Sequence, residues 1–386
     1  MRRHGHLCLH SSPAWQKASR SSAASDTSCI QPPPPPAQRM HVPKLSSDTK
    51  SAGALLRLLL GVTVMALAPV AFAQVPSLAD VEYARVNQQP LRLDLYLPDA
   101  PQAGRPLVLF VHGGGWSGGA KFPIAAGMLP LLQQGIALAS VQYRLVNSQD
   151  AALYGGQDAV IFPAAVHDVK AALRFLRANA QTYGLDAGRF GLWGSSAGGH
   201  LATLTALSDG DLQLEGSVGT HLGVSSAVQL VVDAYGPTDL LRMGVDATLA
   251  GFDSTTWDAP FASHANFIGC GSQGMGAILN NLDNPAAPWP QCVARVQLAN
   301  PILHLNAADP PVWIGHATND PVVPWTQSQR LFDALQANAV PATFVRTPSG
   351  GHSLQEAQYA QARSFIVERF ASVPEAPLFQ DGFEAP

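Results

Sequence analysis

The residues whose types and spacing could do chemistry begin with Gly194-Ser195-Ser196-Ala197-Gly198, a G-x-S-x-G run. The stretch before it, Arg189–Trp193, reads as a short strand, and the small, apolar Ala197–Leu207 after it reads as a buried helix. A sharp strand-to-helix turn at such a run lifts the central hydroxyl out of the sheet, above the N-terminus of the helix. Glycines two before and two after the serine are needed because backbones crowd there. Ser196 is therefore the candidate nucleophile, and Ser195 its packing neighbour. Gly and Ser are frequent, so the five-letter pattern alone is weak; its flanking elements make it specific.

A second run, His112-Gly113-Gly114-Gly115-Trp116, follows the apolar strand Pro106–Val111. Attack on a carbonyl creates an oxyanion, and backbone N–H groups stabilise it where glycines permit close approach. Gly113 and Gly114 are the candidate loop donors, with the N–H of Ala197 as their partner. His112 reads as a loop-orienting residue. Trp116 either floors a substrate pocket or simply packs.

A serine nucleophile needs a base and an orienting acid, here expected in the chain order Ser, acid, His. His200 lies one turn into the elbow helix and reads as structural. His221 and His264 fall in loop-like stretches, and His304 comes early. His316 ends a strand ahead of the candidate acid. His352, in Ser349-Gly350-Gly351-His352-Ser353 after the last strand, sits in a loop that can carry an imidazole back over the sheet. Asp320, in Asn319-Asp320-Pro321-Val322-Val323-Pro324, is the favoured acid, and Asp239, in Gly236-Pro237-Thr238-Asp239, is its rival. The base must be unprotonated to act. Activity is thus expected to fall on the acid side through one ionisation around neutral, with no folding transition beneath it.

The elements that must position these residues alternate. Apolar strands (Pro106–Val111, Ile136–Tyr143, Val228–Ala234, Pro311–Gly315, Ala342–Arg346) are separated by helical stretches at 123–134, 163–179, 326–337 and 354–370. Val166, Val169, Leu173 and Leu176 share one helical face, with Lys170, Arg174 and Arg177 elsewhere. Such alternation predicts an α/β fold: a mostly parallel central sheet with helices on both faces. Residues 245–300, rich in Gly, Asn, Pro, Asp and Ala, have no clear period and read as an inserted loop or cap segment over one end of the sheet.

Composition excludes other classes. The 386 residues are 47 % hydrophobic and 13 % charged, with net charge −4. A core is assured, and no basic footprint for nucleic acid or an anionic membrane surface exists. Four cysteines without a paired CxxC do not suggest a zinc site, so no metal is expected. Residues 1–73 are set apart as a leader: five prolines at 32–36, then the uncharged run Leu58–Ala73 behind Lys50 and Arg57, closing on Ala71-Phe72-Ala73. That is the pattern of a signal peptide cleaved after Ala73, too short to span a bilayer well. Met40 offers a start that gives an ordinary signal length. Cleavage leaves a single catalytic domain over 74–373, a tail over 374–386, and only Cys270 and Cys292, which in an exported chain read as one disulfide, against the alternative of two buried thiols.

Taken together, His112–Trp116, Tyr143-Arg144, the helix around Asp168, Gly194–Ala202, Asp320–Pro324 and Gly351-His352 resemble the α/β-hydrolase superfamily. Within it the likeness is to the secreted BD-FAE (feruloyl-esterase-like) group, related to the hormone-sensitive-lipase-type carboxylesterases, and it spans roughly residues 91–370. The resemblance implies a Ser196–Asp320–His352 triad, an acyl-enzyme route and no cofactor. It also implies a small-molecule ester as substrate, of small acyl or aryl type, with plant cell-wall acetyl or feruloyl esters included. The same machinery can cut amides, as in arylformamidases and peptidases, and a hydrolase fold without activity can serve as a binding protein. One departure is His316-Ala317, where the family usually has His-Gly before the acid.

Overall fold

The computed structural model describes residues 75–99, 103–147 and 159–374. The expected leader and signal run, the cleavage point after Ala73, and the tail from 375 onward lie outside the described residues.

Eight strands form one sheet: β1 (Leu78–Val86), β2 (Gln89–Tyr96), β3 (Arg105–Val111), β4 (Ala137–Val141), β5 (Leu185–Ser195), β6 (Leu230–Ala234), β7 (Val312–Ala317) and β8 (Ala342–Thr347). Their spatial order is β1-β2-β4-β3-β5-β6-β7-β8. β1 and β2 make a hairpin whose two turn residues, Asn87 and Gln88, both take positive φ, which matches the strand twist. β2 also runs antiparallel to β4, and every other pairing is parallel. This is the mostly parallel α/β sheet that the strand pattern predicts, in keeping with the α/β-hydrolase fold that the resemblance implies.

The parallel strands are apolar throughout because both their faces are covered. Along β3, Leu107, Leu109 and Val111 join one core, while Val108 and Phe110 join the other. α1 (Ala164–Ala178) buries its predicted face, Val166, Val169, Leu173 and Leu176. Its cations are not solvated, however. Lys170 and Arg174 are buried and converge on Glu215 at 2.7 and 2.9 Å. Buried charges persist only when paired in this way.

α2 (Ala197–Leu207) is buried along its whole length, as its lack of charge requires. The segment read as an irregular insertion is in fact helical: α3 (Met243–Leu249), α4 (Thr255–Asp258), α5 (Ser263–Phe267), α6 (Met275–Leu279) and α7 (Trp289–Leu298). Helices this short leave no periodic signature. Ala265, Phe267, Ile268, Met275, Ile278 and Val296 nonetheless sink into the main core. Cys270 and Cys292 are both fully buried there, with their sulfurs 2.00 Å apart in a disulfide. α8 (Trp325–Ala337) and α9 (Glu356–Ser372) complete the chain as described.

The order of strands sets the position of the site. The chain leaves β3 for β4 on one side and later returns to β5 on the other, so the loops after β3 and β5 diverge from adjacent strand ends, with Val111 opposite Gly194. A crevice outside the carboxyl ends of strands at such a reversal is where ligands bind in open α/β sheets.

Candidate active site

Ser196 sits between β5 and α2 with φ 55° and ψ −126°. A non-glycine residue held there costs about 1–3 kcal/mol and persists only when its surroundings over-determine it. Here they do: a Cβ at Gly198 would lie 2.0 Å from Val111 O and 2.5 Å from His112 O, so α2 rests directly on the loop after β3. Ser196 N–H also donates to Ala234 O at 2.9 Å.

The Ser196 hydroxyl lies 2.8 Å from His352 Nε2, and His352 Nδ1 lies 2.7 Å from Asp320 Oδ2. Three residues far apart in sequence therefore form one hydrogen-bonded run. With a carboxylate accepting at Nδ1, that nitrogen carries the hydrogen and Nε2 is left to accept from Ser196. Gly351 N–H donates to Asn319 Oδ1 at 2.9 Å, which ties the histidine loop to the acid loop. The Tyr235 ring meets the imidazole edge-on at 4.7 Å.

Asp320 is completely buried. Its Oδ1 accepts from the N–H groups of Val322 and Val323, and its Oδ2 lies 3.1 Å from a second imidazole, that of His316. Burial alone would raise the carboxyl, but hydrogen bonds from His316 and His352 outweigh it and hold Asp320 well below the usual carboxylate range. The rival, Asp239, lies elsewhere: its carbonyl accepts from Gln327, and burial pushes its own carboxyl up, with Arg330 opposing. His316 and Tyr235 were not singled out as site residues from sequence. Two signals pointed to His316: its position at a strand end four residues before Asp320, and the His-Gly pair that the resembling family usually has before the acid.

The glycine loop lies against the serine. A Cβ at Gly113 would come 2.7 Å from Ser195 O and 3.1 Å from Ser196 Cβ. Ala197 opens α2, so its N–H belongs to the first turn, which has no intrahelical acceptor. His112 stacks on Tyr143 at 4.3 Å, and the Tyr143 hydroxyl donates to His112 O at 2.9 Å. Burial lowers the His112 imidazole, consistent with a residue that orients the loop.

A cavity of about 340 Å³ opens at Ser196, bordered by Gly115, Trp116, Met243, Trp257, His264 and Val322 among others. The helical insertion supplies much of its wall. Trp257 Nε1–H donates to Val322 O at 3.0 Å, which pins the wall to the acid loop, and His264 Nε2 lies 2.8 Å from Trp257 O. His264, expected in a loop-like stretch, is 2 % exposed within α5. Trp116 borders the cavity, yet its ring is mostly spent on packing, stacked on Phe267 at 4.6 Å and edge-on to His200. Among the described residues, no group of three or more His, Cys, Asp or Glu converges to hold a metal ion. Nor is any helix among them long and apolar enough to cross a membrane.

Residues 93–335 match the BD-FAE family. The chain belongs to that family. Curated relatives include Esterase LipQ of Mycobacterium tuberculosis, 28 % identical over 74 % of this chain and 59 % of its own. Isoprenylcysteine alpha-carbonyl methylesterase ICME of Arabidopsis thaliana is 25 % identical over 66 % of this chain and 52 % of its own. The BD-FAE chain thus spans little more than half the length of these relatives. Among solved structures, a truncated carbohydrate esterase from gut microbiota superposes with TM-score 0.62 at 28 % identity, over 78 % of this chain and 99 % of that one. An esterase of Thermogutta terrifontis with propionate bound, 21 % identical, has TM-score 0.55 over 76 % of this chain and 94 % of its own, and shares the fold.

Proposed function

We propose that this BD-FAE protein hydrolyses carboxylic esters through an acyl-enzyme on Ser196. One observation carries the reading: the hydrogen-bonded run from the Ser196 hydroxyl through His352 to the buried Asp320, beside a glycine loop packed on the serine. His352 Nε2 takes the proton of Ser196 as the oxygen attacks the ester carbonyl. The N–H groups of Gly113, Gly114 and Ala197 face the resulting oxyanion. Collapse expels the alcohol, which takes its proton from His352, and leaves the acyl group on Ser196. Water, deprotonated by the same imidazole, then releases the carboxylic acid. Asp320 fixes the tautomer of His352 and stabilises its cation, and no step calls for a metal or organic cofactor.

The substrate in this reading is a small acyl or aryl ester, with acetyl or feruloyl esters of plant cell walls as the finer assignment. The likeness to a carbohydrate esterase and the largely apolar cavity at Ser196 support it. The domain is taken as 74–373, exported behind a signal peptide cleaved after Ala73. The Cys270–Cys292 pair is in keeping with an oxidising compartment.

Ser196→Ala tests the reading. It should lower kcat on p-nitrophenyl acetate by about 10⁶-fold, the loss typical when a serine nucleophile is removed from such a relay. Labelling by a fluorophosphonate should vanish with it while the thermal midpoint stays near wild type. Ser195→Ala should remain active. Retained turnover in Ser196→Ala would reject the nucleophile, and a wild type inert to both ester and probe would favour a binding role.

A further inference from the structure

We infer that His316 is a positioning residue for this site, holding Asp320 in the orientation from which it receives His352; the inference rests on the proposed ester-cleaving reading. Both His316 and Asp320 are fully buried. Nε2 of His316 lies 3.1 Å from Asp320 Oδ2 and 3.0 Å from Val323 O, and both are acceptors, so Nε2 carries the hydrogen. Nδ1 lies 2.7 Å from the hydroxyl of the buried Ser328 on α8, which supplies the donor on that side. The imidazole thus spans three elements: the end of β7, the acid loop and α8.

Geometry separates this from ordinary core packing. The oxygen that His316 bonds, Oδ2, is the one that bonds His352 Nδ1. Oδ1 is held by two backbone N–H groups. Without His316 the carboxylate is fixed on one edge and keeps a single donor on the other. Its plane can then tilt, and its charge at Oδ2 is shared with one imidazole instead of two. The first change disorders His352. The second concentrates negative charge toward His352 and favours its protonated form.

Other groups face His316 as well. The Tyr235 ring lies 6.5 Å away. Arg346, its register partner on β8, places its guanidinium over the Trp325 ring at 4.6 Å.

The test compares wild type, His316→Leu and His316→Gln, each first titrated with a fluorophosphonate so that rates are per active site. Leu removes the donor, while the amide of Gln can place an N–H near the position of Nε2. His316→Leu should lower kcat about 10–100-fold, the rate equivalent of one lost hydrogen bond to a charged group, and leave KM nearly unmoved. The acid limb of its kcat/KM profile should move upward by about half a pH unit, about 0.7 kcal/mol, because the Oδ2 charge is then shared with one imidazole instead of two. His316→Gln should restore most of both. A merely structural histidine would lower the thermal midpoint and leave the limb in place, which overturns the inference. So would an unchanged kcat in His316→Leu. A wild type that resists the probe and turns over no ester would defeat the parent reading instead. Should His316→Leu fail to fold, ¹⁵N-histidine spectra of the wild type decide: hydrogen on Nε2 of His316 is expected, and hydrogen on Nδ1 overturns the assignment.

Discussion

Around Ser196, positions are set by backbone packed on backbone; around Asp320, they are set by hydrogen bonds to and from side chains. On the serine side, Gly194, Gly198 and Gly113 leave no room for a Cβ, which would meet Gly198 O at 1.9 Å, Val111 O at 2.0 Å and Ser195 O at 2.7 Å respectively. On the acid side, Asp320 is bonded by two imidazoles and two backbone N–H groups, while Trp257 ties the next turn to the insertion. The first construction tolerates almost no change of residue type but asks only for backbone from its partners, Val111 and Ser195 among them. The second depends on groups from β7, the histidine loop, α8 and the insertion all arriving together.

After removal of the nucleophile itself, the largest expected effect comes from the acid side. Asp320→Asn should lower kcat by about 10⁴-fold, as in the worked serine-protease case where the orienting aspartate becomes an amide. The amide offers a donor where two imidazole N–H groups already point. Asp239→Asn should stay within a few-fold of wild type, since its carboxyl has no hydrogen bond to His352 among those described. Greater damage from Asp239→Asn, measured as kcat per labelled site, would place the acid after β6.

Next in size is a pair of glycine changes, one on each side. Gly198→Ala puts a Cβ against two carbonyl oxygens of the neighbouring loop, so α2 or that loop must move. A loss of about 3 kcal/mol or more is expected, a shift of roughly 10 °C in thermal midpoint. Gly351, unlike Gly198, takes positive φ, at 60°, and a Cβ there meets nothing within 4 Å. Gly351→Ala should cost only the left-handed conformation, about 1–2 kcal/mol. Equal losses at the two sites would dissolve the contrast between a crowded half and an open one.

The same contrast explains what could be read in advance. Backbone crowding forces glycine at fixed offsets from Ser196, so that half appears as a local motif, and the β5-turn-α2 context follows from the apolar runs beside it. Asp320 and His352 were legible through chain order and loop position, because the acid and base must follow their strands. His316 was not, since its role is defined by a carboxylate oxygen shared in space with His352. The insertion was read as irregular because its helices run to a few residues each, too short for a period of 3.6 to show. Their burial is set by tertiary packing and by the Cys270–Cys292 bridge.

An effect seen only on acidification concerns two histidines, one in each half. His200 in α2 and His264 in α5 are both pushed down to about 4 by burial, against the backbone hydrogen bonds to Ala299 O and Trp257 O that oppose it. In the unfolded chain they titrate near ~6.5. As pH falls from ~6.5 to ~4 the unfolded chain takes up protons that the folded one refuses. Each histidine then removes stability, by up to about 3 kcal/mol, over that window. Asp233 runs the other way: burial raises it to about 7, so its folded form gains relative to the ionised unfolded form as pH falls toward ~3.8. The expected acid limb of activity therefore overlaps a decline in stability, and circular dichroism at each pH must accompany the rates. His264→Gln isolates the effect, because Gln keeps an N–H for Trp257 O and cannot be protonated. The difference in thermal midpoint between pH 7 and pH 4.5 should shrink by roughly 5–10 °C in that variant, the equivalent of about 2–3 kcal/mol. An unchanged difference would mean that His264 takes up its proton in the folded protein as readily as in the unfolded one, and that the insertion wall is open to water at that histidine.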